Sequence, residues 1–132
     1  MPTLLIVDDH ASVLHTLEFV FAGPDLRIRL AESGAAALAL AEQDAINAAL
    51  VDLHMPAMDG LALTRALKAH GARSGQDVPI WLMSAAPGIG AAEQSRQAGA
   101  EELLKKPFDC VAFRATLLQR LNGGAAPATF AA

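Results

Sequence analysis

Short apolar runs, each ending in a polar side chain, recur along this chain of 132 residues. Leu4-Leu5-Ile6-Val7 leads into Asp8-Asp9, and Ala48-Ala49-Leu50-Val51 leads into Asp52. Ile80-Trp81-Leu82-Met83 ends in Ser84, and Leu103-Leu104 ends in Lys105-Lys106-Pro107. Runs of this length, bounded by polar or turn residues, read as strands buried on both faces of a parallel sheet. Between them lie stretches with apolar residues at helical spacing, such as Val13, Leu14, Leu17, Val20 and Phe21. Strand and helix in alternation demand a parallel sheet with right-handed crossovers. In an open sheet of this kind, ligands bind at the carboxyl ends of the strands. Three carboxylates, a hydroxyl and an ammonium are thereby directed to one edge.

The pattern predicts strands over 3–7, 26–31 and 48–51, a fourth beginning at Pro79, and a fifth over 102–105. Helices are predicted over 11–21, 35–42, 61–70, 91–98 and 110–121. Gly23-Pro24-Asp25 breaks the first helix, Asp59 caps the third and Asp109 the fifth. Gly71 is expected to close the third helix, leaving 72–77 as a loop, and Gly99 to close the fourth. The second strand alternates Leu26, Ile28 and Leu30 against Arg27 and Arg29, which marks a sheet edge. The expectation is a single flavodoxin-like, doubly wound α/β domain over residues 1–122, with five parallel strands in the order 2-1-3-4-5 and five helices. Residues 123–132 read as a flexible tail or linker stub.

Composition removes several function classes. The length suits one core, and 53 % hydrophobic against 18 % charged residues is a globular balance. A net charge of −4 and the lack of a Lys/Arg cluster give no basis for direct nucleic-acid binding. A single cysteine, Cys110, rules out an intramolecular disulfide and fits a cytoplasmic location. No stretch is long and apolar enough to span a membrane, and Met1-Pro2-Thr3 leaves no room for a signal peptide ahead of the first strand. Gly88-Ile89-Gly90 lacks the third glycine and the preceding strand of a dinucleotide fingerprint, and no P-loop pattern occurs. His10, His15 and His70 have no metal-ligand spacing among themselves, so a zinc site is not expected. Trp81 and Cys110 read as packing residues and Lys105 as solvated.

Asp8, Asp9 and Asp52 crowded at neighbouring strand ends oppose one another's ionisation. A hard divalent cation with oxygen ligands relieves that repulsion, and Mg²⁺ uses one or two carboxylates while keeping several waters. Lys106 adds a fixed positive charge and Ser84 a hydroxyl. Phosphoryl transfer depends mostly on positioning and on neutralising charge on the moving group. A carboxylate flanked by these groups is placed to accept a phosphoryl group itself.

With these residues assembled, the chain resembles the receiver domain of a two-component response regulator, the CheY-like family. The motifs are Asp8-Asp9, the segment Asp52-Leu53-His54-Met55-Pro56-Ala57-Met58-Asp59-Gly60, Ser84-Ala85 and Lys106-Pro107-Phe108. The resemblance runs from Thr3 to about Leu121. It implies Asp52 as phosphoacceptor, taking its group from a sensor histidine kinase or a histidine phosphotransfer protein. It implies Mg²⁺, with Mn²⁺ as a substitute, bound by Asp9, Asp52 and the backbone carbonyl of His54, and by Asp8 through water. Ser84 would be the switch hydroxyl, and Lys106 would pair with the phosphoryl oxygens, its bond to Pro107 being cis in similar proteins. Gly60 and Pro56 would shape the loop over the site. A downstream protein target is implied, and a homodimer is common in similar proteins.

One departure stands out. The family's switch aromatic in the fifth strand is replaced by Leu103, and the chain has no tyrosine. Signalling would then pass through Ser84, the loop 87–90 and the fourth helix. Two rivals remain at this stage: a receiver-like interaction module that works without phosphorylation, and a Mg²⁺-dependent phosphohydrolase with an aspartyl-phosphate intermediate. The second usually carries Asp-x-Asp after its first strand, whereas Asp8 and Asp9 are adjacent. No output domain is evident, so the chain is expected to be a stand-alone receiver or part of a larger protein.

Overall fold

A computed structural model describes residues 1–123. Along the chain run β1 (Thr3–Val7), α1 (Ala11–Phe21), β2 (Arg27–Ala31), α2 (Gly34–Gln43), β3 (Ala48–Asp52), α3 (Gly60–Arg73), β4 (Ile80–Ser84), α4 (Ala91–Ala98), β5 (Glu102–Lys105) and α5 (Cys110–Leu121). The strands form one parallel sheet in the order β2-β1-β3-β4-β5. This is the flavodoxin-like arrangement expected from the alternation of short apolar runs and helical stretches. The expected tail lies, from residue 124 onward, outside the described residues.

Sheet pleating sends alternate side chains to opposite faces, which divides the core in two. Leu5, Val7, Val51, Ile80 and Leu82 pack against Ala37 and Ala41 of α2, Leu63 and Leu67 of α3, and Ala91 of α4. Leu4, Ile6, Leu50, Trp81, Met83 and Leu104 pack against Leu14, Leu17 and Phe21 of α1 and Phe113 and Leu117 of α5. Phe113 anchors the second face. Its ring lies edge-on to Trp81 at 5.3 Å and within 5.5 Å of Phe21. Each such fully buried side chain contributes roughly 1.5–3 kcal/mol over leaving it exposed. β1, β3 and β4 are buried along their whole length, whereas β2 is only partly buried, as its alternating sequence demands at an edge.

Three of the boundaries that differ from expectation have a visible local cause. Ser33 caps α2, its hydroxyl accepting from the Ala36 N–H, so the helix starts at Gly34, one residue earlier than expected. β2 starts at Arg27, because Leu26 instead bridges back to Gly23 across the Pro24-Asp25 turn. Gly71 does not end α3. It lies inside the helix, where a Cβ would come within 2.6 Å of the Gln76 carbonyl oxygen. The glycine is needed for that close approach, and the left-handed position after the helix falls to Gly75, with φ 72. Ala72 and Arg73, expected in a loop, are therefore helical.

Candidate functional site

Register builds the site. Val7 pairs with Val51, so Asp8 and Asp52 emerge side by side at the carboxyl edge. Ser84 pairs with Lys105, and the Lys106 N–H donates to the Ser84 carbonyl at 2.8 Å, which sets Lys106 just past the end of β4. The Lys106–Pro107 bond is cis, as similar proteins led one to expect.

The ammonium of Lys106 reaches across the edge. Its Nζ lies 3.0 Å from Asp8 Oδ2 and 3.6 Å from Asp52 Oδ1. Asp8 is fully buried, and its other oxygen accepts the His10 backbone N–H at 2.9 Å. Asp52 is 7 % exposed. Burial pushes its carboxyl above the ordinary carboxylate value; Lys106 and the His54 backbone N–H pull it down, while Asp8 and Asp9 push it further up. The net result is a buried carboxyl short of cationic partners. Asp9 is partly exposed, yet its Oδ1 is buried and has no hydrogen-bond partner among the described residues.

That orphaned oxygen is informative, because a buried unpaired carboxylate oxygen is costly. Ligand atoms from Asp8, Asp9, His10 and Asp52 all lie within 4.8 Å of one another. Three carboxylates with a free oxygen among them fit a hard divalent cation such as Mg²⁺. His10 is the member that sequence reading missed. Its histidine–histidine spacing was uninformative; its place directly after the acidic pair was the available signal.

The loop after β3 frames Asp52. Asp59 caps α3 by accepting from the Ala62 N–H, and the Gly60 N–H donates to the Leu53 carbonyl at 2.9 Å. A Cβ on Gly60 would meet the Asp52 carbonyl oxygen at 2.5 Å, so only glycine lets α3 start this close to β3. Ala57, in the same loop, takes φ 67, a left-handed conformation costing about 1 kcal/mol for a residue with a Cβ. Pro56 and His54 are exposed at the rim.

Ser84 is brought to the same edge and is fully buried. Its hydroxyl accepts from the Ala86 N–H at 3.2 Å, within its own loop, and makes no hydrogen bond to the acidic cluster among the described residues. Leu103 is half-buried against the α2–α3–α4 side of the core, away from the acidic edge. Trp81 is buried, as read from the sequence. Among the described residues, no helix is long and apolar enough to cross a membrane.

Residues 4–118 match the sequence profile of the response regulator receiver domain. The chain is 34 % identical over 107 residues to the transcriptional regulatory protein PrrA of Mycobacterium tuberculosis, covering 81 % of this chain and 44 % of PrrA. It is 36 % identical over 104 residues to the DNA-binding transcriptional regulator NtrC of Escherichia coli, covering 79 % of this chain and 21 % of NtrC. It therefore spans less than half the length of either relative. Its fold matches the crystal structure of a CheY-like receiver domain protein from Methanospirillum hungatei, with a TM-score of 0.81 at 22 % identity over 93 % of this chain and 95 % of that one.

Proposed function

Because this chain belongs to the family of response regulator receiver domains, we propose that it is the phosphoacceptor switch of a two-component phosphorelay and that Asp52 is the acceptor. Receiver domains are signalling domains, and family membership implies a histidine kinase as partner. One observation carries the assignment: a nearly buried carboxylate at a strand end, 3.6 Å from a lysine that a second buried carboxylate holds in place.

An oxygen of the Asp52 carboxylate attacks the phosphorus of a phosphohistidine on a sensor kinase or phosphotransfer protein. The new O–P bond forms as the P–N bond breaks, and the electron pair leaves on the partner's imidazole. Lys106, tethered by Asp8, pairs with the phosphoryl oxygens after transfer. Ser84 releases its loop N–H and turns its hydroxyl toward the same oxygens, which couples the loop after β4 to the modified state. Asp9, Asp52 and the His54 carbonyl, with Asp8 at one remove, would hold Mg²⁺, which when bound would neutralise charge on the transferring group. Leu103, lacking a ring and a hydroxyl, gives the altered Ser84 loop an aliphatic surface to pack on in place of an aromatic rotamer. Residues 1–122 form the receiver, acting in the cytoplasm on a protein target.

Intact-mass measurement after incubation with acetyl phosphate and Mg²⁺ tests the assignment. The wild type gains a base-labile phosphoryl adduct that Asp52→Asn does not. An unmodified wild type, or an equal adduct on Asp52→Asn, would leave a phosphorylation-independent interaction module as the reading. Sustained turnover of small phosphomonoesters would favour a phosphohydrolase.

A further inference from the structure

His10 stands between the acidic pair and α1. It occupies the N-cap position in extended conformation, yet its side chain caps nothing. The imidazole turns back over the carboxylates instead. Its Nδ1 is 3.2 Å from Asp8 Oδ1 and 3.2 Å from Asp9 Oδ1. The ring is 68 % exposed, so packing does little to hold it there. The approach to Asp9 Oδ1 lacks hydrogen-bond geometry, which is why that oxygen stays orphaned while a ring nitrogen stands next to it. A nitrogen and three carboxylates facing one small volume, with one oxygen unpaired, make a mixed N/O donor set.

We propose that His10 is a ligand of the metal site through Nδ1 and that it biases the site away from Mg²⁺ toward first-row transition cations. The inference rests on the metal-assisted acceptor reading above and adds the identity of the cation to it. Mg²⁺ gains little from an imidazole, because it prefers oxygen donors and keeps its waters. Mn²⁺ gains more, and Ni²⁺ more again, following the general order of affinities for nitrogen-containing sites. Coordination through Nδ1 uses the neutral tautomer that carries its proton on Nε2. The competing role is that of a hydrogen-bond donor that merely quiets Asp8 and Asp9. Removing such a donor would change the affinity for every cation alike.

Calorimetric titration of the untagged chain with Mg²⁺, Mn²⁺ and Ni²⁺ at pH 8 separates the two roles. The wild type is compared with His10→Ala, with His10→Phe, which keeps a ring but no nitrogen, and with Asp9→Asn. Both His10 variants should lose affinity for Ni²⁺ by about 10-fold or more and for Mn²⁺ by a smaller factor, with Mg²⁺ held within roughly twofold. Pulsed electron paramagnetic resonance of the Mn²⁺-loaded wild type should record coupling to a ¹⁴N nucleus that both His10 variants lack. An equal change for all three cations, or no nitrogen coupling in the wild type, overturns the role of His10. If that result comes with affinity lost in Asp9→Asn, the acceptor reading survives alone. If the wild type binds none of the three, both fall together.

Discussion

At the amino edge of the sheet, Asp77 is 64 % exposed and faces two cations: Arg120 at 2.8 Å and Lys68 at 3.3 Å. At the carboxyl edge, Asp52 is 7 % exposed and shares the single ammonium of Lys106 with Asp8, while Asp9 adds a third carboxylate. The two aspartates respond in opposite directions. The hydrogen bond from Arg120 holds the Asp77 carboxyl below its ordinary value, and burial holds Asp52 above it. Glu101 also pairs with Arg120, at 3.0 Å, so charge at the amino edge is matched and solvated. The contrast separates two uses of charge. Exposed pairs trim the surface at little cost, while a buried, under-compensated cluster is stable only because the rest of the fold imposes it, and a bound cation would compensate it.

The largest test of this contrast is metal linkage. Mg²⁺ binding only to the folded chain should stabilise it by roughly 2.7 kcal/mol at 100 times its dissociation constant. Asp9→Asn should raise the melting temperature measured in EDTA and abolish the rise caused by Mg²⁺. A metal-free variant less stable than the wild type would mean that the acidic edge is not under repulsive strain.

A second test uses pH. A carboxyl whose folded pKa is raised binds its proton more tightly in the folded state. Its contribution to stability therefore falls as pH climbs from the ordinary value of 3.8 through the raised folded value, and the deficit persists above that. Asp52→Asn should melt higher than wild type at pH 7 in EDTA, by a few degrees, which is about 1 kcal/mol for a domain of this size. The advantage should shrink as the solution is acidified toward the ordinary carboxylate range. Melting curves in which the gap stays constant across that range would remove the electrostatic explanation.

The smallest effect belongs to the amino edge, and its sign is reversed. The Asp77 carboxyl is depressed, so its contribution is present above 3.8 and disappears as pH falls through the folded value below that. Arg120→Ala should lower stability at pH 7 by no more than about 1 kcal/mol, because the pairs are exposed and screened. That loss should diminish in strong salt. A loss several times larger, or one indifferent to salt, would show that the amino edge is not the weakly coupled region described here.

Much of this was legible in the chain before any coordinates. Asp8, Asp9, Asp52, Ser84 and Lys106 could be placed on one edge because each follows an apolar run, and strands of a parallel sheet share a direction. The caps at Asp59 and Asp109 were equally readable, since a short acidic side chain ahead of a helix satisfies an N–H one turn on. Gly71 was misread because the rule for glycine at a helix end sees only local sequence. The group that demands its missing side chain is the Gln76 carbonyl, which arrives by folding back. His10 was missed for a related reason: a side chain's direction across a turn follows from the field around it, not from its spacing to other histidines.

The order of residues by itself determined the alternation of strands and helices, the edge position of β2, and which side chains stand at strand ends, because these follow from periodicity and local backbone preference. Only the tertiary structure decided which of those side chains touch. Lys106 meets Asp8 across 98 positions of chain because β1, β3, β4 and β5 pair in one register. The same register leaves Asp9 with a buried oxygen that accepts no hydrogen bond among the described residues. Distances of that kind are set by how sheets pair and helices pack around them, and linear spacing carries no measure of either.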